Sequence, residues 1–172
     1  MAYAQERHAG QRCTDDGAPF IEHPLEVGWL LYRAGAPDHV IAAGVLHDTI
    51  EKGGADVVEL RRRFGARVAS LVAAVSEDPG IRGYASRKAA LRAQVATAGT
   101  EALMVFAADK VSKLRELSRA RSPARTAQRR LTHYRRCLEL LEWRLSDSPL
   151  VIQLRAELEQ VLARPGVALR PA

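Results

Sequence analysis

The segment VIAAGVLHDTIE (residues 40–51) constrains the fold more than any other part of this sequence. Its first seven residues are apolar on every side of a helix, so the helix that they form must be buried. His47 and Asp48 follow directly, and two ionisable groups at the end of a buried helix need charged partners or a metal ion. Glu51 lies four residues beyond His47, which on a helix is roughly the same face. This polar end is the first candidate for a functional site.

Helical signals continue along the rest of the chain, and strand-like alternation never persists. Asp56 and Glu59 form a capping-box pattern at a helix start, and Gly65 predicts the end of that helix. Two Ser-Pro pairs, at 122–123 and 148–149, are typical of an N-cap followed by proline in the first turn. We therefore predict an all-α fold, a single compact bundle of eight or nine helices.

Length and hydropathy indicate one domain without a membrane span. A chain of 172 residues with 47% hydrophobic residues can bury one good core, and we predict a domain over 1–165 with a short tail at 166–172. The longest apolar run, 40–46, is far shorter than the roughly 20 residues of a membrane helix. The first ten residues lack the apolar stretch of a signal peptide. We expect a cytoplasmic protein with no membrane partner.

Basic residues are concentrated in one segment. The formal net charge is +6, and residues 110–136 contain ten Lys or Arg and one acid. Such a run is usually a solvated helix face, although it can also form an anion-binding rim or a nucleic-acid patch. No nucleic-acid recognition motif accompanies it, so we do not expect a nucleic-acid partner.

Four residues form a candidate set of metal ligands. His23 precedes a proline at a predicted helix start, and Asp109 follows the apolar run ALMVFAA, which repeats the arrangement of Asp48. Together with His47 these residues supply two imidazoles and two carboxylates, which suit a divalent Mn, Fe or Zn ion. Four protein ligands on an octahedral ion leave two positions, for water and for a phosphoryl oxygen. The set therefore predicts metal-assisted hydrolysis of a phosphate ester.

The sequence resembles the HD-domain hydrolases of the RelA/SpoT type in four segments that come in the same order and at similar separations. These segments are FIEHP (20–24), AAGVLHDTIE (42–51), FGARVASLVAAVSED (64–78) and AADKVSKLREL (107–117). The likeness extends from His8 to Arg136 and is closest to the stand-alone small alarmone hydrolases and the metazoan SpoT homologue. It implies an all-α domain, Mn²⁺ (or another divalent transition metal) at the four ligands named above, and removal of the 3′-pyrophosphate from (p)ppGpp.

Two catalytic positions follow from the resemblance. Glu51 matches the carboxylate that orients or deprotonates the attacking water, whereas Lys52 stands where the family has a second acid. An ammonium at position 52 cannot act as a base while it is protonated. It reduces the general-base capacity of the site, or it binds a leaving phosphate.

The positions that surround the substrate are partly changed. Arg130 matches a basic position that contacts substrate phosphates, and His8 matches a position near the site. Lys113 replaces an asparagine that contacts the nucleotide in the family. Arg12 stands beside residues 13–14, Cys-Thr, where the family has an Arg-Lys pair. We predict Arg12, His8, Lys113 and Arg130 as substrate-binding residues, with a structural role as the alternative for His8.

Two functions are consistent with this pattern. The first is a metal-dependent phosphohydrolase that acts on (p)ppGpp or a related small phosphorylated nucleotide. The second is a diverged, weakly active or non-catalytic nucleotide-binding protein, which would explain Lys52, Lys113 and residues 13–14. The sequence leaves the oligomeric state open, and a homodimer is one alternative.

Overall fold

The computed structural model describes residues 1–13, 17–119 and 124–163. These described residues contain nine α-helices and no strand longer than an isolated bridge between Arg12 and Pro19. The helices are α1 (Ala2–Arg7), α2 (Glu22–Arg33), α3 (Asp38–Leu46), α4 (Val57–Phe64), α5 (Ala66–Val75), α6 (Tyr84–Thr97), α7 (Thr100–Arg119), α8 (Ala124–Leu145) and α9 (Pro149–Leu162). The predicted all-α bundle is confirmed.

Helix α7 is the centre of the bundle. It packs against α2, α3, α5, α6, α8 and α9, and its apolar residues are almost completely excluded from solvent. The side chains of Phe106 and Leu103 are 1% exposed, and that of Val105 is fully buried. Because Asp109 follows this apolar stretch on the same helix, burial of α7 in the core carries its carboxylate into the interior.

Two glycines allow α2 and α3 to pack closely. A Cβ atom at Gly28 would lie 2.5 Å from Val45 Cγ2, and one at Gly44 would meet the side chain of Leu31. Since α2 carries His23 and α3 ends one residue before His47, the close approach of the two helices sets the distance between the two imidazoles.

Helix boundaries agree with the local sequence signals where the structure describes them. The Asp56 carboxylate accepts the backbone N–H of Glu59 at 2.7 Å, and Gly65 ends α4 with a positive φ of 88°. Ser148 is the N-cap of α9, but its hydroxyl makes no capping hydrogen bond. The pair at 122–123, the domain boundary at 165 and the tail at 166–172 lie outside the described residues.

None of the helices in the described ranges is long and apolar enough to cross a membrane. The cytoplasmic location and the homodimer both stay predictions.

Gly44→Val is expected to destabilise the protein by about 1–3 kcal/mol, because an isopropyl group must enter the close contact between α2 and α3. The same change should weaken metal binding, since the Gly44 carbonyl orients the ring of His47. Chemical denaturation measures the first effect and metal titration the second. Ala66→Val, at an exposed position at the start of α5, should change stability by less than about 0.5 kcal/mol. Equal stability of the two variants would contradict the packing argument.

Candidate active site

Two imidazoles and a carboxylate converge in the interior, where α2, α3 and α7 meet. His23 Nε2 lies 3.2 Å from His47 Nε2 and 3.2 Å from Asp109 Oδ1, and His47 Nε2 lies 3.5 Å from the same oxygen. All three residues are buried. One potential ligand atom from each lies within 4.8 Å of the others, a spacing that one metal ion can bridge.

Contacts at the Nδ1 atoms of His23 and His47 orient both rings so that their Nε2 atoms face the centre of the cluster. His47 Nδ1 lies 2.7 Å from the carbonyl oxygen of Gly44, which can only accept a hydrogen bond, so Nδ1 carries the proton. His23 Nδ1 lies 2.9 Å from Ser112 Oγ and 2.9 Å from Glu116 Oε1. A proton on each Nδ1 leaves a lone pair on each Nε2, which is the tautomer that a metal ligand needs.

Asp48 lies at the edge of this cluster. Its Oδ2 is 3.5 Å from His47 Nε2 and 3.7 Å from His23 Nε2. Burial raises the pKa of Asp48 and Asp109, but nearby lysines outweigh it and hold the pKa of both carboxyls well below the usual range. Both are therefore ionised at neutral pH.

The donor set fits a divalent transition metal. Two imidazole lone pairs that face each other at 3.2 Å repel unless a proton or a cation lies between them. In addition, the buried Oδ1 of Asp109 faces both of these nitrogens, at 3.2 and 3.5 Å, so a third electron-rich atom points into the same space. A cation bound by His23, His47, Asp48 and Asp109 would satisfy both groups.

Three lysines contact the two carboxylates. Lys52 Nζ lies 3.0 Å from Asp48 Oδ2, Lys113 Nζ lies 2.8 Å from Asp109 Oδ1, and Lys110 pairs with the other oxygen of Asp109. Burial lowers the pKa of Lys113, but Asp109 and Asp48 outweigh it and raise that pKa well above its usual range. Each of these two candidate metal ligands is thus already in contact with at least one ammonium group.

A cleft of about 700 Å³ opens beside the cluster. It brings together three of the residues predicted to bind substrate, Arg12, Lys113 and Arg130, and also Lys52. Its lining residues in the described part of the chain are Gln11, Arg12, Cys13, Phe20, Lys52, Lys113, Glu116, Thr126 and Arg130. Four of these side chains are cationic and one is acidic, so the cleft suits an anionic ligand.

The structure places His8 differently from the prediction that it binds substrate. His8 does not line the cleft but contacts two residues that do, since its Nδ1 lies 3.0 Å from Gln11 Oε1 and its ring centroid 4.9 Å from that of Phe20. Burial lowers the pKa of His8. Its contacts support a role in holding the cleft wall.

Glu51 follows His47 in a segment of turns and not on the regular helix that the sequence spacing assumed. Helix α3 ends at Leu46, and residues 47–53 form successive turns. The Glu51 carboxylate is exposed, and its Oε1 accepts the backbone N–H of Glu77 at 2.5 Å. This contact with the segment after α5 holds the carboxylate in place.

The sequence interpretation missed the residues that hold His23. Ser112 and Glu116 lie three and seven residues after Asp109 on α7, a spacing that puts all three on one helix face. Ser112 Oγ also donates to Glu26 Oε2 at 2.7 Å. The helical spacing from Asp109 was the available signal.

The basic segment is not a single solvated face. Lys110 is 2% exposed, Lys113 lines the cleft, and Arg115 pairs with Glu26 and Glu157 at 2.7 and 2.6 Å. These three cations on α7 serve the site and the core, so the prediction that most of this segment is solvated holds only for other members such as Arg135 and Arg136.

Comparison with known proteins gives consistent results. The HD domain family matches residues 1–136. The chain is 35% identical over 130 residues to a Danio rerio protein named guanosine-3′,5′-bis(diphosphate) 3′-pyrophosphohydrolase MESH1, covering 74% of this chain and 72% of that protein. It is 34% identical over 135 residues to the Homo sapiens protein of the same name, covering 77% and 74%.

Among solved structures, the fold is similar to that of a metazoan ortholog of SpoT described as hydrolysing ppGpp. The TM-score is 0.80 at 24% identity, and the match covers 92% of this chain and 91% of that one.

Proposed function

The chain belongs to the HD domain family, and on that premise we propose that it is a metal-dependent hydrolase that removes the 3′-pyrophosphate from guanosine-3′,5′-bis(diphosphate). Similarity to relatives named for this reaction supports the proposal. The observation that carries it is the buried cluster of His23, His47 and Asp109 beside a cationic cleft. The cluster suits a metal ion, and the cleft suits a small phosphorylated nucleotide.

For the metal we propose Mn²⁺, held by His23, His47, Asp48 and Asp109. Two imidazoles and two carboxylates suit Mn²⁺ better than they suit a cation that prefers oxygen ligands alone. When bound, such an ion supplies Lewis acidity, which lowers the pKa of water and offsets charge on phosphoryl oxygens.

Glu51 is the general base in this proposal. Its Oε1 is held by the Glu77 N–H, so its Oε2 can accept the proton of the attacking water. The water oxygen bonds to the phosphorus attached to the ribose 3′-oxygen, and the bond from phosphorus to that 3′-oxygen breaks. The 3′-oxygen takes up a proton, and GDP and inorganic pyrophosphate are the products.

The cations of the cleft hold the substrate. Lys52 and Lys113, which contact Asp48 and Asp109, bind the reacting end of the substrate in this proposal. Arg12 and Arg130, which also line the cleft, bind its other phosphates. Positive charge that is already in position stabilises the charge that develops on phosphoryl oxygens in the transition state.

Metal analysis followed by a product screen tests this function. Protein purified without chelator is assayed with Mn²⁺ against ppGpp, pppGpp, GTP and GDP, and pyrophosphate and orthophosphate are measured separately. We expect pyrophosphate release from ppGpp and pppGpp, with bound metal near one ion per chain. Release of orthophosphate alone, or no turnover of either alarmone, would overturn the proposal.

Arg130→Ala should raise KM for ppGpp about tenfold and leave the bound metal unchanged, because loss of a charge-assisted hydrogen bond to phosphate weakens substrate binding. Arg155→Ala, on α9 and paired with Glu142 outside the cleft, is the matched control and should leave KM unchanged. Steady-state kinetics and metal analysis measure both variants. A KM equal to that of the parent would exclude Arg130 from phosphate binding.

A second function is favoured by the lysine contacts. Because Lys52 and Lys113 pair with Asp48 and Asp109, the protein could instead bind the nucleotide without rapid turnover. Single-turnover measurements with excess protein distinguish the two functions. A binding protein would retain intact ppGpp, whereas the hydrolase converts it to GDP.

A further inference from the structure

The same short pattern occurs twice at the site, an aspartate followed four residues later by a lysine. Lys52 follows Asp48 in the turns after α3, and Lys113 follows Asp109 on α7. In both cases the ammonium lies one turn beyond a carboxylate of the cluster and contacts it, at 3.0 and 2.8 Å. Two separate elements thus place an ammonium on the cleft side of the cluster.

These two lysines differ from Lys110 in their access to a ligand. The Lys52 and Lys113 side chains are 39% and 21% exposed and line the cleft, whereas that of Lys110 is 2% exposed and does not line it. An ammonium has three N–H donors, and a contact with one aspartate uses one of them. Lys52 and Lys113 therefore each have donors that can reach a ligand in the cleft.

The orientation of Lys52 is fixed by a second contact. Its Nζ lies 4.1 Å from the centre of the Phe20 ring, and Phe20 is 6% exposed. Attraction between the ammonium and the face of a buried ring limits the movement of the lysine end. The ammonium is consequently held between the aromatic wall of the cleft and Asp48.

The positive charge around the cluster and the cleft favours a strongly anionic ligand. Three lysines contact Asp48 and Asp109, and Glu116 beside His23 supplies a third carboxylate. Arg12 and Arg130 add two cations along the cleft, and a divalent ion would increase this excess of positive charge. A phosphate monoester carries about two negative charges near neutral pH. A pyrophosphate group carries more negative charge, on two linked phosphates that two ammonium groups can contact at once.

We propose that Lys52 and Lys113 form a pyrophosphate clamp, which holds the reacting pyrophosphate of the substrate and retains inorganic pyrophosphate after cleavage. The inference rests on the proposed function for the reaction, but the clamp itself is a binding property. It makes the protein select pyrophosphate esters over phosphate monoesters. It also makes inorganic pyrophosphate a strong product inhibitor.

Ligand binding tests the clamp without turnover. Binding of inorganic pyrophosphate and of inorganic phosphate to the Mn²⁺-loaded protein is measured by calorimetry at fixed free Mn²⁺, for the parent, Lys52→Gln and Lys113→Gln. We expect each substitution to weaken pyrophosphate binding about tenfold or more, since each removes a charge-assisted contact, and to weaken phosphate binding much less. Bound metal should stay stoichiometric in both variants.

Two further variants make the result specific. Lys52→Arg keeps a cation that can donate charge-assisted hydrogen bonds to phosphate, and it should retain pyrophosphate binding to within about threefold. Arg62→Gln removes one positive charge from an exposed position on α4, outside the cleft, and should leave binding unchanged.

The outcomes separate the clamp from the reaction. Pyrophosphate affinity that is unchanged in both glutamine variants, in a protein that still hydrolyses ppGpp, overturns the clamp and leaves the proposed function intact. If the glutamine variants bind pyrophosphate more weakly than the parent, and the parent hydrolyses no alarmone, the clamp is supported and the proposed function is overturned. Equal losses for phosphate and pyrophosphate, or loss of metal in the glutamine variants, also overturn the clamp.

Discussion

Replacement of His47 by alanine is expected to remove the bound metal and to lower kcat/KM for ppGpp by at least about a thousandfold. The estimate follows from the several kcal/mol of transition-state stabilisation that a metal ion supplies to phosphoryl transfer. The fold should persist, because His47 follows the end of α3 and its ring contributes little to the apolar core. Asp109→Ala should have the same effect on the metal, since its carboxylate lies between the two imidazoles and the lysines.

Three measurements check this result. Elemental analysis gives the metal content, far-ultraviolet circular dichroism gives the helix content, and pyrophosphate release gives the activity. His39→Ala is the matched control. His39 is not part of the cluster, and its Nε2 lies 3.0 Å from Glu101 Oε1. That variant should keep both metal and activity. Stoichiometric metal and full activity in His47→Ala and Asp109→Ala would show that the ion is bound elsewhere.

Glu51→Gln is expected to lower kcat by about a hundredfold to ten-thousandfold, the range for a positioned general base. The amide oxygen of glutamine can still accept the Glu77 N–H, so the side chain should stay in place while it loses the ability to accept a proton. Metal content and KM should change little. The defect should therefore appear in the chemical step alone.

Rapid-quench kinetics with excess enzyme measures that step directly. Glu139→Gln, at an exposed position on α8, makes the same chemical change away from the site and should leave kcat unchanged. A kcat for Glu51→Gln within about threefold of the parent would assign proton transfer to another group.

The burial of His47, Asp48 and Asp109 could be predicted from the sequence because burial is a local signal. An apolar run that is buried on all sides carries the ionisable residue at its end into the interior, and this holds for both His47 and Asp109. The structure adds a contact between Asp48 and Lys52 at 3.0 Å, which the sequence analysis did not predict.

The environment of these ligands could not be predicted in the same way. The donor to Glu51 comes from Glu77, 26 residues further along the chain, and Ser112 lies 89 residues from the imidazole of His23 that it contacts. The four cations of the cleft also come from four separate parts of the chain, the segments after α1 and α3 and the helices α7 and α8. A periodic pattern gives the face of a helix that is buried, but it does not give the neighbouring helix that this face meets.

The sequence by itself determined the helical class and the buried helix ends that carry His47, Asp48 and Asp109. Only the tertiary structure decided that the backbone N–H of Glu77 holds the Glu51 carboxylate, that His8 contacts Gln11, and that Lys113 lines the cleft. The physical reason is that helix formation and burial depend on neighbouring residues and their periodicity. Contacts between distant segments depend on how closely helices pack, and here two glycines between α2 and α3 set that distance.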